Sequence, residues 1–269
     1  MRVAEAIHVV VFTYFGILGW TRPLPRGRRA FLTAEAVVVV CGLTALSNAP
    51  PGKLTSVVRD WLPGALLLLA YWSSGLFVTS YNQRFQNALA RVDREVFEKL
   101  KRFRFFWGRL PSFFFELAYL LCYLLVPLGL GALYFLRLRR YADDYWSIVL
   151  PPAHLCYGAV PFLRALPPRL VAGDPSPPSP VSLVRRLNLW ILSRGSIEAN
   201  TFPSAHVAAA GAAGLAIMHL APPASPVFLL VAFGIAVGAV LGRYHYVADA
   251  IAGAVLALAS YGAWLALSR

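Results

Sequence analysis

The sequence predicts an all-α fold, a polytopic transmembrane helix bundle with about eight spans. Hydrophobic residues make up 58% of the 269 positions and charged residues 14%, whereas a soluble domain averages about 45–50% apolar and about 25% charged residues. Long apolar runs recur along the chain, with the length of roughly 17–25 residues that a helix needs to cross a bilayer. Most of the basic residues lie in the segments between these runs.

Eight apolar runs define the predicted spans. The first run contains Glu5 and His8 and ends without a small-residue cleavage site, so we expect an uncleaved span rather than a signal peptide. The predicted spans are residues 3–20, 30–49, 62–79, 111–136, 145–163, 204–220, 226–242 and 247–267.

A polar segment near the middle of the sequence divides the chain into three parts. We expect transmembrane helices over 1–79, an amphipathic interfacial segment over 80–110, and a transmembrane core over 111–269 that includes a long loop at 164–203. In the middle part, apolar residues recur every three or four positions, which is typical of a basic helix lying in the membrane interface. The alternative is a solvated connector, and Asp93 is expected to be solvated or lipid-facing. The apolar face comprises Phe85, Leu89, Val92, Val96, Leu100 and Phe103.

The net charge of +13 restricts the classes of partner. Because the basic residues lie between membrane spans, phospholipid headgroups or other phosphate-bearing substrates fit better than nucleic acid. Cys41, Cys122 and Cys156 lie inside apolar runs, without the spacing of a metal site or a disulfide framework. The sequence indicates no cofactor and does not determine the oligomeric state.

Two polar islands, at 203–206 and 243–249, interrupt the apolar C-terminal third of the chain. Two predicted spans separate them, so the chain crosses the membrane twice and both islands reach the same face. His206 belongs to the first island, whereas Arg243, His245 and Asp249 belong to the second. Ionisable residues at membrane depth are costly, and they therefore indicate a functional site.

The residue types in these islands suit phosphoryl transfer. His245 and Asp249 are four positions apart at the start of a span, so the carboxylate can orient the imidazole. Arg243 offers a forked donor for phosphate oxygens. His206 lies in the first turn of a predicted helix, where free backbone N–H groups attract anions. Together they predict transfer through a covalent histidine intermediate.

The two islands, Pro-Ser-Ala-His and Arg-Tyr-His-Tyr-Val-Ala-Asp, resemble the second and third signatures of the type 2 phosphatidic acid phosphatase superfamily, integral-membrane branch. The resemblance covers about residues 145–267 and is strongest to the subgroup that includes inositol phosphorylceramide synthases. It implies a six-helix phosphatase-like core that acts without a metal. It also implies that His245 is the nucleophile, Asp249 orients it, His206 protonates the leaving oxygen, and Ser204 helps to hold the phosphate.

The remaining phosphate-binding residues depart from the family pattern. The third signature usually has an arginine where this chain has Ala239, and Arg243 lies one helical turn further along. The first signature, a lysine followed by an arginine–proline pair, is absent. Arg164 and Arg169 flank its expected place, and Arg169 is the preferred substitute.

These observations predict a lipid phosphate or diphosphate phosphatase, with phosphatidic acid or a polyprenyl diphosphate among the candidate substrates. A lipid phosphotransferase shares the same first step and differs only in its acceptor. A transporter or binding protein on the same scaffold is a third hypothesis. The histidines and Asp249 could also form a structural ion pair or bind zinc, although the adjacent Arg243 disfavours a cation.

Two indications disagree about the side of the membrane. Lysine and arginine are more numerous on the face that carries the islands, and the positive-inside rule would therefore place that face in the cytoplasm. The family resemblance implies the opposite side. We expect a bacterial inner-membrane protein with an extracytoplasmic active site.

Overall fold

The structure is a computed structural model that describes residues 1–100, 108–171, 182–197 and 199–268. Within these ranges the chain forms eleven α-helices and no strand, which confirms the predicted all-α bundle. The helices are α1 (Val3–Thr21), α2 (Arg26–Asn48), α3 (Lys53–Gly75), α4 (Gln83–Leu100), α5 (Arg109–Leu120), α6 (Cys122–Phe135), α7 (Ala142–Ala159), α8 (Leu183–Gly195), α9 (Ala205–Leu220), α10 (Ser225–Leu241) and α11 (Val247–Leu267).

Each predicted span coincides with a helix, except that the run at 111–136 is divided into α5 and α6 by a bend of 59°. Four helices in the described ranges, α1, α2, α10 and α11, are long and apolar enough to cross a membrane, or five spans if the bent pair counts as one. The chain is therefore a multi-pass integral-membrane protein. The count of eight stays a prediction, because α3 contains Arg59 and Asp60 and α9 has only 16 residues.

Helix α9 is the centre of the C-terminal part and packs against α6, α7, α10 and α11. Small residues permit this arrangement: Ala208, Ala212 and Ala216 are fully buried. A Cβ atom at Gly253 would lie 2.5 Å from the carbonyl oxygen of Ser204, so α11 can approach the start of α9 only through a glycine. The two polar islands are thereby brought together at one end of the bundle.

The N-terminal helices pack onto this core through α7, which contacts both α1 and α3. A cluster of ion pairs fixes them at the end of the bundle away from the islands. Arg59 binds Glu5 at 2.6 Å, and Asp60 accepts hydrogen bonds from both Arg2 and Arg139 at 2.6 Å. The division of the chain at residues 79 and 110 stays a prediction.

Helix α4 corrects one expectation from the sequence. Its buried residues are Gln86, Leu89, Asp93 and Phe97, whereas Val92 of the predicted apolar face is 43% exposed. Asp93 is therefore buried against the protein rather than solvated, and α4 packs on α11. The predicted segments 80–110 and 164–203 both include residues outside the described ranges, so part of each lies beyond the structural description.

Candidate active site

The turn between α10 and α11 carries His245. Arg243 has a left-handed backbone with a φ of 62°, and the following amides of Tyr244 and His245 both donate to the carbonyl of Ala239 at 2.9 Å. The chain therefore reverses direction sharply after α10, and His245 lies at the edge of the bundle interior, 5% exposed. The conformation is uncommon for a residue with a side chain, so the tertiary contacts of this turn must hold it.

Asp249 lies in the first turn of α11 and orients His245. Its Oδ2 atom is 3.3 Å from Nδ1 of His245 and also accepts hydrogen bonds from the amide of Tyr246 at 2.9 Å and from Asn200 Nδ2 at 2.6 Å. A carboxylate beside Nδ1 favours the tautomer that carries its proton there. The lone pair of His245 Nε2 is then directed away from Asp249, which is the arrangement a nucleophilic imidazole needs.

The second histidine, His206, comes from the start of α9. Ser204 caps this helix by accepting the amide of Val207 at 3.4 Å, and Thr201 Oγ1 accepts the amide of Ala205 at 3.3 Å. The amide of Ser204 donates to the carbonyl of Asp249 at 3.0 Å, which joins the two islands directly. Ser204 itself is fully buried as a cap, and it does not line the cavity described below.

The rings of the two histidines are adjacent, and both line one cavity. Their ring centroids are 5.6 Å apart, with the planes at 74°. Tyr119 and Tyr123 flank His206, each with its ring centroid 5.7 Å away. The cavity measures about 510 Å³ and is lined by His206, His245 and Arg169 at one end.

Arg169 supplies the cation of this site. It lies in the short 3-10 turn Pro168–Leu170, whose amide at Arg169 donates to the carbonyl of Arg243 at 3.1 Å. The guanidinium carbon is 5.8 Å from the centre of the Tyr244 ring. Among the residues that the structure describes, no carboxylate pairs with this guanidinium, so its donors remain available to an anion in the cavity.

Two other arginines named from the sequence lie outside the cavity. The guanidinium of Arg243 forms a buried ion pair with Asp93 and lies over the ring of Phe97 at 4.5 Å. Arg164 donates to Thr79 Oγ1 at 3.0 Å. Neither lines the cavity. The structure thus brings His206, His245, Asp249 and Arg169 together, while the phosphate-binding roles of Arg243, Arg164 and Ser204 stay predictions.

Several residues near the site were not singled out from the sequence. Asn200 is 2% exposed and holds Asp249, and Asp93 holds both Arg243 and the amide of Val247, the latter at 2.8 Å. No spacing pattern marks either residue, because their partners are about 50 and 150 positions away in the chain. A strongly amphipathic helix with one acidic residue on its buried face was the available signal for Asp93.

A further buried network supports the turn that carries His245. Tyr244 stacks on Tyr119 with the ring centres 3.9 Å apart, and its hydroxyl donates to Glu116 Oε2 at 2.5 Å. Arg185 and Asn188 of α8 also donate to the Glu116 carboxylate, at 2.5 and 2.8 Å. Helices α5 and α8 therefore fix the position of the residue next to His245.

Burial determines the protonation of His245. Removal from water, with a smaller contribution from the positive charge of Arg169, lowers the pKa of His245 to about 3. The imidazole is therefore neutral at ordinary pH, as a nucleophile requires. The described residues contain no group of three or more His, Cys, Asp or Glu side chains placed to hold a metal ion.

Comparison with known proteins agrees with the chemistry of these residues. The sequence model of the PAP2 superfamily matches residues 87–263, which include most of α4, the loop with Arg169 and both polar islands. No significant match was found among curated proteins or among solved structures. Because the match spans about two thirds of the chain, this protein belongs to the PAP2 superfamily.

Proposed function

We propose that the protein is an integral-membrane phosphatase that hydrolyses a lipid phosphate or diphosphate through a phosphohistidine on His245. Superfamily membership supports a phosphatase-type function in general terms. The finer proposal depends on the His245–Asp249 pair. Nδ1 of His245 lies 3.3 Å from Oδ2 of Asp249, and Nε2 of the same ring is directed away from the carboxylate. His206 and Arg169 face the same cavity.

In the first step, Nε2 of His245 attacks the phosphorus atom while Arg169 binds the non-bridging oxygens. The bond between phosphorus and the lipid oxygen breaks as the bond from phosphorus to nitrogen forms. The leaving oxygen takes a proton from His206, whose protonated form is favoured by the negative charge of the bound phosphate. Asp249 stabilises the positive charge that develops on the His245 ring.

In the second step, water attacks the phosphohistidine. His206, now neutral, accepts a proton from the water as the new phosphorus–oxygen bond forms and the phosphorus–nitrogen bond breaks. Inorganic phosphate leaves, His245 returns to its neutral form, and His206 is protonated for the next cycle. Asn200 and the amide of Tyr246 keep Asp249 in place throughout, since both donate to its Oδ2 atom.

Phosphate release from a panel of lipid phosphates in detergent tests the proposal. We expect the wild type to release phosphate in the presence of a chelator, and His245→Ala to lose at least about a thousandfold in rate, as removal of a nucleophile does. His219→Ala is the matched control, because His219 lies exposed at the other end of α9. Substrate labelled on phosphorus should leave an acid-labile label on the wild type and on His219→Ala, and none on His245→Ala.

Four results would contradict the proposal. Full activity of His245→Ala would exclude the covalent step, and loss of wild-type activity with the chelator would favour metal chemistry instead. If the label moved to an added ceramide or polyol, with no phosphate released, the protein would be a phosphotransferase. Tight binding of lipid phosphate without turnover would indicate a transporter or binding protein.

A further inference from the structure

The cavity that contains the two histidines continues far beyond them as an apolar extension. This extension, here termed the apolar arm, is lined by Trp61, Gly64 and Leu68 of α3, by Val126 of α6 and by Trp146 of α7. Trp61 lies ten residues before Tyr71, which lines the cavity near its polar end. At 1.5 Å per helical residue, the arm therefore runs about 15 Å along α3.

One wall of the arm opens sideways out of the bundle. Trp61, Ala65, Leu68 and Trp72 form a single stripe on α3 at steps of four, three and four residues, and all four line the cavity. Although they line the cavity, Leu68 and Trp72 are each about half exposed, at 51% and 50%. Helix α3 packs against α1 and α7, whereas α6 packs against α9, and the opening lies between α3 and α6.

The far end of the arm is closed by Trp146. This side chain is 1% exposed, and its Nε1 atom donates to the carbonyl of Asp60 at 2.7 Å. The Asp60 carboxylate is in turn held by Tyr134 at 2.5 Å and by the arginines described above. A Cβ atom added at Gly64 would lie 3.3 Å from the Trp146 ring, so the glycine leaves room where the arm ends.

We propose that the apolar arm holds one hydrocarbon chain of the substrate, which enters sideways from the bilayer, and that Trp146 limits the length of that chain. The arm is continuous with the polar end of the cavity, which His206, His245 and Arg169 line, so a phosphate at the polar end places the chain beside α3. This inference rests on the proposed function, which supplies the phosphate group at the polar end.

The dimensions of the arm favour an acyl-length chain over a long polyprenyl chain. A depth of about 15 Å is half of a bilayer hydrocarbon core of about 30 Å, the space that one leaflet provides. A much longer chain would have to leave the arm through the opening between α3 and α6. The aromatic rings of Trp61 and Trp146 line the end of the arm, where the end of the hydrocarbon chain would lie. Binding there does not require a polar group to lose its water.

Substitution at the opening tests this assignment. Ala65→Trp places a large ring in the arm from the exposed side of α3, and Val58→Trp is the matched control one turn beyond Trp61 on the same stripe. For long-chain phosphatidic acid we expect kcat/KM of Ala65→Trp to fall at least about tenfold, as steric loss of an apolar pocket does. Hydrolysis of p-nitrophenyl phosphate, which has no chain, should be unchanged.

Gly64→Leu gives a second, graded test at the far end of the arm. We expect it to shift the preferred acyl length of phosphatidic acid toward shorter chains while keeping the rate on p-nitrophenyl phosphate. Equal loss on both substrates in Ala65→Trp, or an unchanged chain-length preference in both variants, would overturn the proposal.

Cross-linking separates this inference from the proposed function, because it needs no turnover. Phosphatidic acid with a photoreactive group at the chain end should label Trp61, Gly64 or Trp146, and unlabelled phosphatidic acid should compete. The label should persist in Val58→Trp and disappear in Ala65→Trp. Competed labelling of the arm in a protein that releases no phosphate would reject the proposed function and keep the arm. Labelling confined to lipid-facing residues such as Phe233 would reject the arm.

Discussion

At the scale of single residues, the two arginines nearest His245 have different surroundings. Arg169 has its guanidinium in the cavity, whereas that of Arg243 is engaged by Asp93 and Phe97. Their backbones are adjacent, because the amide of Arg169 donates to the carbonyl of Arg243 at 3.1 Å. The contrast separates a residue that can bind phosphate from one that shapes the turn.

The two substitutions should therefore change different quantities: Arg169→Ala should change the inhibition by phosphate, and Arg243→Ala should change the melting temperature. We expect Arg169→Ala to weaken inhibition by inorganic phosphate about 10–100-fold, the loss of one or two charge-assisted hydrogen bonds, and Arg169→Lys to recover part of it. Arg243→Ala should lower the melting temperature and leave the inhibition constant of the folded fraction near that of the wild type. If Arg243→Ala weakened phosphate inhibition as much as Arg169→Ala, the phosphate role predicted from the sequence would return to Arg243.

The buried His245 also predicts how stability depends on pH. An unfolded histidine has a pKa of about 6.5, whereas burial and Arg169 lower that of folded His245 to about 3. As pH falls below about 6.5 the unfolded state takes up a proton that the folded state does not, so the free energy of unfolding decreases. At pH 5 this decrease is about 2 kcal/mol, since each pH unit corresponds to about 1.4 kcal/mol.

The melting temperature in detergent from pH 7.5 to 5 measures this effect. The wild type should lose more thermal stability over that range than His245→Ala, which has no imidazole to titrate at this position. His219→Ala, at the exposed position, should follow the wild type. Parallel melting curves for wild type and His245→Ala would show that His245 titrates normally.

At the scale of helices, one buried acidic side chain, Asp93, joins α4 to the turn that carries His245. One oxygen of Asp93 pairs with Arg243 and the other accepts the amide of Val247, the first residue of α11. The helix thus connects the middle segment of the chain with both ends of the turn that carries His245. Burial raises the pKa of Asp93, while the Val247 amide and Arg243 oppose that change.

Removal of this charge should release α4. Breaking one partner of a buried ion pair costs about 3–5 kcal/mol, so Asp93→Asn should lower the melting temperature and increase hydrogen exchange over residues 83–100 and at Val247. Glu95→Gln is the matched control on the exposed side of α4. Unchanged exchange in Asp93→Asn would mean that apolar contacts of Leu89 and Phe97 suffice to hold the helix.

The helices themselves follow from local sequence, whereas their orientation does not. Apolar runs predicted the helical segments because hydropathy is a property of neighbouring residues. The buried face of α4 differs from the predicted face because Asp93 pairs with Arg243, which lies 150 positions away. The periodicity of apolar residues contains no information about that partner. The position of Arg169 is a similar case. Arg169 lies near His245 because its amide donates to the carbonyl of Arg243 in the turn, and no signature spacing in this chain encodes that hydrogen bond.

At the scale of the whole molecule, the polar clusters lie at opposite ends of the bundle. His206, His245 and Arg169 occupy one end, and the Glu5–Arg59 and Asp60–Arg139 pairs occupy the other. The apolar arm runs from the first end toward the second and stops at Trp146, one hydrogen bond from Asp60. A chain entering sideways would thus belong to the leaflet on the side of the histidines, so the orientation of the protein decides which leaflet supplies its substrate.

The orientation can be measured with single cysteines in a background where Cys41, Cys122 and Cys156 are replaced. We predict that a cysteine at Ser176, which lies in the sequence between α7 and α8 and outside the described residues, reacts with an impermeant maleimide in intact cells. A cysteine at Pro223, exposed in the turn between α9 and α10, should react only after permeabilisation. The reason is that α9 is predicted to cross the membrane between His206 and this turn, so labelling at Ser176 and at Pro223 should report opposite faces.

The opposite labelling pattern would place the histidines in the cytoplasm, as the distribution of lysine and arginine suggests. In that case the basic residues of α4 and of the loop before α9 would determine topology instead of serving anionic lipid. Added polybasic residues next to Pro223 discriminate between these causes: they should reverse the labelling if charge determines orientation, and leave it unchanged if the packing of α9, α10 and α11 does.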